Sequence, residues 1–196
     1  MFASHDEHTM LDASYDSTPF TTAFVLHTLG LIDSGVEEMI ESGLRFLTAE
    51  EESGLWRYWS RSDSKHSSIP PDMDDTCCAS QALRLFGRTP PDNKSAVSAN
   101  ADSEGRFYSW FVPRPSAPAW LNDNVLSVAG TESAFRLYAS GLADNVDCAI
   151  NANVILYLGE SAPTPTPRLL SVRAAGLSSE DSRLGLMVTV ATGAAC

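Results

Sequence analysis

Apolar residues crowd into three stretches of the chain, each opening on a polar residue or proline and closing on glycine: Pro19 to Gly30, Asp75 to Gly87 and Asp147 to Gly159. A polar or proline start, a small and apolar body and a glycine end are the marks of a helix with both termini specified. The three bodies are apolar nearly all round, which places them on the inside of a helical assembly rather than on its surface. Between the first two, Val36, Met39, Ile40, Leu44 and Leu47 recur at helical spacing and predict an amphipathic helix from roughly Val36 to Thr48.

A second repeated element lies between these stretches. Gly54-Leu55-Trp56-Arg57-Tyr58-Trp59 is matched by Gly105-Arg106-Phe107-Tyr108-Ser109-Trp110, with glycine, an aromatic two residues on and a distal tryptophan, at a period of 51 residues. Helix pairs repeating at about that length, one inner and one outer with an aromatic turn between, describe an array of helical hairpins. The expected fold class is therefore all-α, with residues 1–160 as the repeat domain. After Gly159 the pattern stops: prolines at 163, 165 and 167 oppose helix and favour extended chain. Residues 161–196 read as a proline-rich linker and poorly structured tail, or as the product of a shifted reading frame.

Charge narrows the partners. Thirteen basic residues against 25 acidic give a net charge of −12, which disfavours nucleic acid and anionic lipid. Four cysteines at irregular spacing do not form a disulfide framework or a closed zinc site, so a cytoplasmic setting is the default expectation. No apolar run reaches the roughly 20 residues that span a bilayer, and the protein is not expected to be transmembrane.

The chemistry concentrates in Pro70-Pro71-Asp72-Met73-Asp74-Asp75-Thr76, three carboxylates within four residues just ahead of an apolar stretch. Such crowding has two uses. Asp72 after two prolines, with an acid three residues on, makes a helix cap that dipole and hydrogen bond stabilise by roughly 1 kcal/mol. Alternatively, like-charge repulsion and burial keep one carboxyl protonated, giving a general acid for a very poor base such as an alkene. Aromatic faces would then steady a developing cation, each by about 1 kcal/mol.

Asp72-Met73-Asp74-Asp75-Thr76 resembles the Asp-x-Asp-Asp-Thr motif of class II terpene cyclases of the squalene-hopene cyclase type. Gly54-Leu55-Trp56 and Gly105-Arg106-Phe107 resemble the Gln-x-x-x-Gly-x-Trp/Phe repeat of that superfamily, with Glu50 and Ala101 where the glutamine would stand. The resemblance covers roughly Pro19 to Gly159 and implies about half of an α/α toroid or a reduced version of one; in the first case a second toroid domain or subunit would supply the remainder. It implies protonation-initiated cyclisation of a polyisoprenoid without metal or other cofactor, with Asp74 as proton donor and Asp72 and Asp75 positioning it. It also makes Trp56, Tyr58, Trp59, Tyr108, Trp110 and Phe111 candidates for lining the cavity. Two other readings share the toroid: a non-catalytic binding or structural domain, or truncated cyclase, and a zinc-dependent prenyltransferase-like protein. The last would use Asp75 and Cys77, but all four histidines precede Cys77, so its downstream ligand is missing.

The third inner stretch carries Asp147, Asn151 and Asn153 among apolar residues. Asp147 and Asn151 are four apart and share a helix face, whereas Asn153 is turned away from it. Buried amides need hydrogen-bond partners. The three serve either as inter-helix bonds to turn carbonyls or as a substrate-binding polar patch facing the acids.

Overall fold

The computed structural model describes residues 2–4 and 14–159, and the expected linker and tail lie outside them. Apart from a short antiparallel ribbon of β1 (Phe2–Ser4) and β2 (Ser14–Asp16), paired Phe2 to Asp16, the described fold is all-α. The helices are α1 (Pro19–Leu29), α2 (Glu37–Glu50), α3 (Met73–Leu85), α4 (Lys94–Ala99), α5 (Ala119–Ser140) and α6 (Cys148–Leu158). A single 3-10 turn, His66–Ser68, precedes α3. The three apolar stretches are α1, α3 and α6, and the amphipathic stretch is α2. Among the described residues no helix is long and apolar enough to cross a membrane.

The three apolar helices begin alike because each is capped by a side chain. Thr18 Oγ1 accepts from the Thr21 N–H at 3.3 Å, Asp72 Oδ1 from the Asp75 N–H at 2.8 Å, and Asp147 Oδ1 from the Ala149 N–H at 2.8 Å and the Ile150 N–H at 3.1 Å. Each cap satisfies N–H groups that the first helical turn leaves without an intrahelical acceptor. Helix α3 therefore starts at Met73, as the capping reading of Asp72 expects and two residues ahead of the apolar stretch that opens at Asp75, so Asp74 and Asp75 sit inside the first turn.

Helix α3 is the centre of the structure. It packs against α1 on one side and α6 on the other, with α2 behind α1 and α3 and α4 behind α6. Nine of its 13 residues are buried. Cys78, Ala79, Ala82 and Leu83 join Leu26, Leu47 and Trp56 in one apolar cluster. Met73 and Cys77 join Leu55, Phe107, Phe111, Val154 and Leu121 in the other.

The aromatic turns are fastened to the next apolar helix by one repeated device. The Trp56 N–H donates to Thr76 Oγ1 at 3.1 Å, and Thr76 Oγ1 donates to the Asp72 carbonyl at 2.7 Å. In the second copy the Phe107 N–H donates to Asn151 Oδ1 at 2.8 Å, and Asn151 Nδ2 donates to the Asp147 carbonyl at 2.8 Å. Thr76 and Asn151 each lie four residues after their helix cap. The turn glycines take positive φ, +88° at Gly54 and +80° at Gly105, a conformation that side chains with a Cβ rarely adopt. Trp56 and Phe107 are 0% and 1% exposed, so the conserved spacing of glycine and aromatic within the chain is a packing device.

The apolar helices are not buried all round. Phe24 of α1 is 43% exposed and Leu156 of α6 is 49% exposed. Uniform apolarity therefore overstates their burial: the described helices form an open row, and these side chains point out of it.

Candidate functional site

The N-termini of α1, α3 and α6 meet at one end of the row, around a cleft of about 200 Å³. Phe20 lines it from α1, Asp72, Asp74 and Asp75 from α3, and Ile150 from α6. Tyr58, Ser109 and Trp110 come from the aromatic turns. Tyr58 and Ser109 occupy equivalent positions of the two copies, four residues after the turn glycine. The repeat thus brings corresponding points of its turns to the same place.

The backbone at the head of α3 is tied down on both sides. The Asp72 N–H donates to the Trp56 carbonyl at 3.1 Å, the Met73 N–H to the Ser109 carbonyl at 2.9 Å, and the Phe111 N–H to the Pro71 carbonyl at 3.0 Å. These bonds hold the acids against both aromatic turns at once. They also change what capping requires. In a reciprocal capping box the Asp75 carboxyl would accept the Asp72 N–H, but Trp56 already takes that donor. Capping uses Asp72 alone and leaves Asp74 and Asp75 unaccounted for.

All three carboxyls lie above the ordinary carboxylate range, and burial is the leading cause for each. Hydrogen bonds from Asp75 pull Asp72 part of the way back. Asp74 is drawn back by the amide of Asn153, whose Nδ2 donates to Asp74 Oδ1 at 2.7 Å, and raised by the charge of Asp147. Asp75 stands well above the range, since the charge of Asp72, a carboxyl–carboxyl hydrogen bond to Asp72 and the charge of Asp74 add to burial, and the Phe20 backbone N–H offsets only part. Asp75 is 2% exposed, and its Oδ1 has no hydrogen-bond partner. The helix dipole favours anions at this end, yet desolvation and mutual repulsion outweigh it.

Of the other residues singled out in the sequence, Tyr58 and Trp110 join the acids in lining the cleft. Trp56 is fully buried and donates its indole N–H to the Leu47 carbonyl at 2.8 Å, so it holds α2 against the turn. Trp59 packs edge-on against Tyr58 and lies under the Lys65 ammonium at 4.3 Å. Tyr108 carries the Arg114 guanidinium 3.8 Å above its ring, and Phe111 is buried in the core. Asp147 is exposed and caps α6. Asn151 bonds the Phe107 backbone on both its N–H and its carbonyl. The two expected uses are divided between the two faces: Asn151 bonds the turn, and Asn153, on the other face, reaches the acids. Helix α6 has neighbours on two sides, the turn and α3, so an amide turned away from one faces the other. Cys77 is fully buried in the core, with its thiol pushed up by burial, so it packs there as a small apolar residue.

Two buried arginines escaped the sequence reading. Arg114 donates to Asn100 Oδ1 at 3.0 Å, to the Trp110 and Val112 carbonyls at 3.2 and 3.1 Å, and to Ala143. Arg57 bonds Glu52 at 3.1 Å and the Ile69 and Val128 carbonyls at 2.5 Å each. Arg57 lies within the first turn and Arg114 four residues after Trp110 of the second; each gathers distant carbonyls, fixing the loops that carry Tyr58 and Trp110. A lone arginine beside an aromatic turn is the only signal the sequence gives of this.

Comparison of the chain with protein-family models, with curated proteins and with solved structures finds no match.

Proposed function

We propose that the cleft at the head of α3 is an acid site that protonates the alkene end of an isoprenoid chain, a terpene cyclase-like activity. The observation that carries this reading is Asp75: a buried carboxyl with an oxygen lacking a partner, beside two more carboxyls, in a cleft walled by Phe20, Tyr58 and Trp110. A protein-bound acid for so weak a base must hold its proton at neutral pH, and burial with like-charge neighbours does this. The aromatic walls suit a cation, and the Asp-x-Asp-Asp-Thr resemblance supports the same chemistry.

Incubation with squalene and a panel of prenyl diphosphates, followed by product analysis, tests the proposal. Cyclic or rearranged product is expected from the wild type. Asp74→Asn and Asp75→Asn are expected to lower turnover by about 10² to 10⁴-fold, the usual range for a general acid, with helical content unchanged by circular dichroism. Full turnover in both variants contradicts the proposal.

One observation favours a second reading, a binding module for an apolar ligand. The cleft of about 200 Å³ is smaller than the roughly 300 to 1,000 Å³ of pockets that enclose a drug-sized ligand. It admits one end of an isoprenoid chain, with the rest outside. A binding module would return every member of the panel unchanged while protecting it from extraction.

A further inference from the structure

We infer that Asp75, and not the middle acid Asp74, carries the proton of the cleft, and that Asp74 is the carboxylate beside it, fixed by Asn153. The inference rests on the acid-site reading above and assigns its roles differently from the motif resemblance, which puts the proton on Asp74.

The hydrogen bonds separate the three carboxyls. Asp72 Oδ1 receives the Asp75 N–H at 2.8 Å, a fixed donor that favours its charge. Asp74 Oδ1 receives the Asn153 amide at 2.7 Å and faces the Cys78 thiol at 3.8 Å. Asp75 Oδ1 receives nothing, although the residue is 2% exposed. A buried ionised oxygen without a donor is costly, and the neutral acid is the form that tolerates this setting. Its N–H partner in a capping box has gone to Trp56, so the fold itself strips Asp75 of the contact that would have ionised it.

The surroundings supply no countercharge. From α1 Asp75 meets the Phe20 backbone N–H. His27, further along α1, is pushed down by burial and stays neutral. From α6 the acids face Asn153 and the charge of Asp147. On α3 itself the thiols of Cys77 and Cys78 are pushed up and stay neutral. Among the described residues none of the three carboxylates forms an ion pair.

The step that follows is balanced within the site. The alkene π pair takes the Asp75 proton to form a new C–H bond, the neighbouring carbon becomes the cation, and Asp75 becomes a carboxylate that keeps the Phe20 N–H. Loss of a proton from the final carbocation restores the neutral acid.

Infrared spectroscopy of the full chain at neutral pH, reading the carbonyl stretch of neutral carboxyl groups, tests the assignment. The band is expected in the wild type, absent from Asp75→Asn and present in Asp74→Asn. Asp75→Glu, which keeps the acid, is expected to keep the band at a displaced position and guards against loss by misfolding. Asn153→Leu is expected to add a second neutral carboxyl by releasing Asp74, a change that mere loosening of a helix contact would not produce. A band that disappears in Asp74→Asn and persists in Asp75→Asn overturns the inference, as does its absence from the wild type. An Asp75 band in a protein that returns every substrate unchanged leaves the inference standing and removes the cyclase reading instead.

Discussion

The heads of α3 and α6 are built to one plan, with an aspartate cap in common, and differ in the acids that stand between cap and clamp. Each has an aspartate cap, Asp72 or Asp147, and a polar side chain four residues later, Thr76 or Asn151, that clamps the N–H of the preceding aromatic turn. Where α6 places Ala149 and Ile150, α3 places Asp74 and Asp75. The α6 copy demonstrates that cap, clamp and turn work without further acids. What α3 adds is therefore not required by the fold, and burial makes it a cost to stability.

The comparison can be broken most forcefully at the shared parts. Trp56→Ala and Phe107→Ala are each expected to cost about 3–5 kcal/mol, the usual price of removing a large buried aromatic, measured by urea unfolding. A loss confined to one copy would contradict the equivalence of the turns. The clamps come next. Asn151→Ala leaves both the Phe107 N–H and its carbonyl without their partner and is expected to cost about 2–3 kcal/mol. Thr76→Val leaves the Trp56 N–H alone, for about 1–2 kcal/mol. Smaller again is the cap. Asp147→Ala is expected to cost about 1 kcal/mol, and Asp72→Ala less, because losing that cap also relieves repulsion on Asp74 and Asp75.

Much of this plan was legible in the sequence, because caps, terminal glycines and turn aromatics act locally. α1, α3 and α6 announced themselves by polar starts and glycine ends, and α2 by its spacing. α5 did not, since Gly130 at φ 70° kinks it and divides its pattern. Its buried residues Leu121, Val125, Ala129, Ser133 and Leu137 recur every four residues, a signal that was present and unread. In the site, the acids, Tyr58 and Trp110 were legible. Trp56 and Tyr108 were not separable from cavity-lining aromatics, because their role depends on the Leu47 carbonyl and on Arg114, both remote from any local motif. Asn153 was legible as part of a polar patch facing the acids, but its pairing with Asp74 was not, because the bond spans 79 residues of chain.

One effect of similar size has the opposite sign. Asp75→Asn is expected to raise stability near neutral pH by about 0.5–2 kcal/mol, as replacement of a strained functional group commonly does. The sign follows from linkage. A carboxyl whose folded pKa lies above its unfolded value of 3.8 binds more protons in the folded state. Its contribution is fully present below that value and is lost as pH rises through the folded pKa. The advantage of the variant therefore grows with pH above about 4.

The most direct test is the unfolding free energy of Asp74→Asn/Asp75→Asn against wild type from acid to alkaline pH, by urea titration. If the two acids are functional additions to a scaffold that α6 shows complete without them, the double variant matches wild type in acid and exceeds it increasingly above about pH 4. A double variant less stable than wild type at neutral pH would mean that the acids hold the helix together, and the acid site would have to be given up.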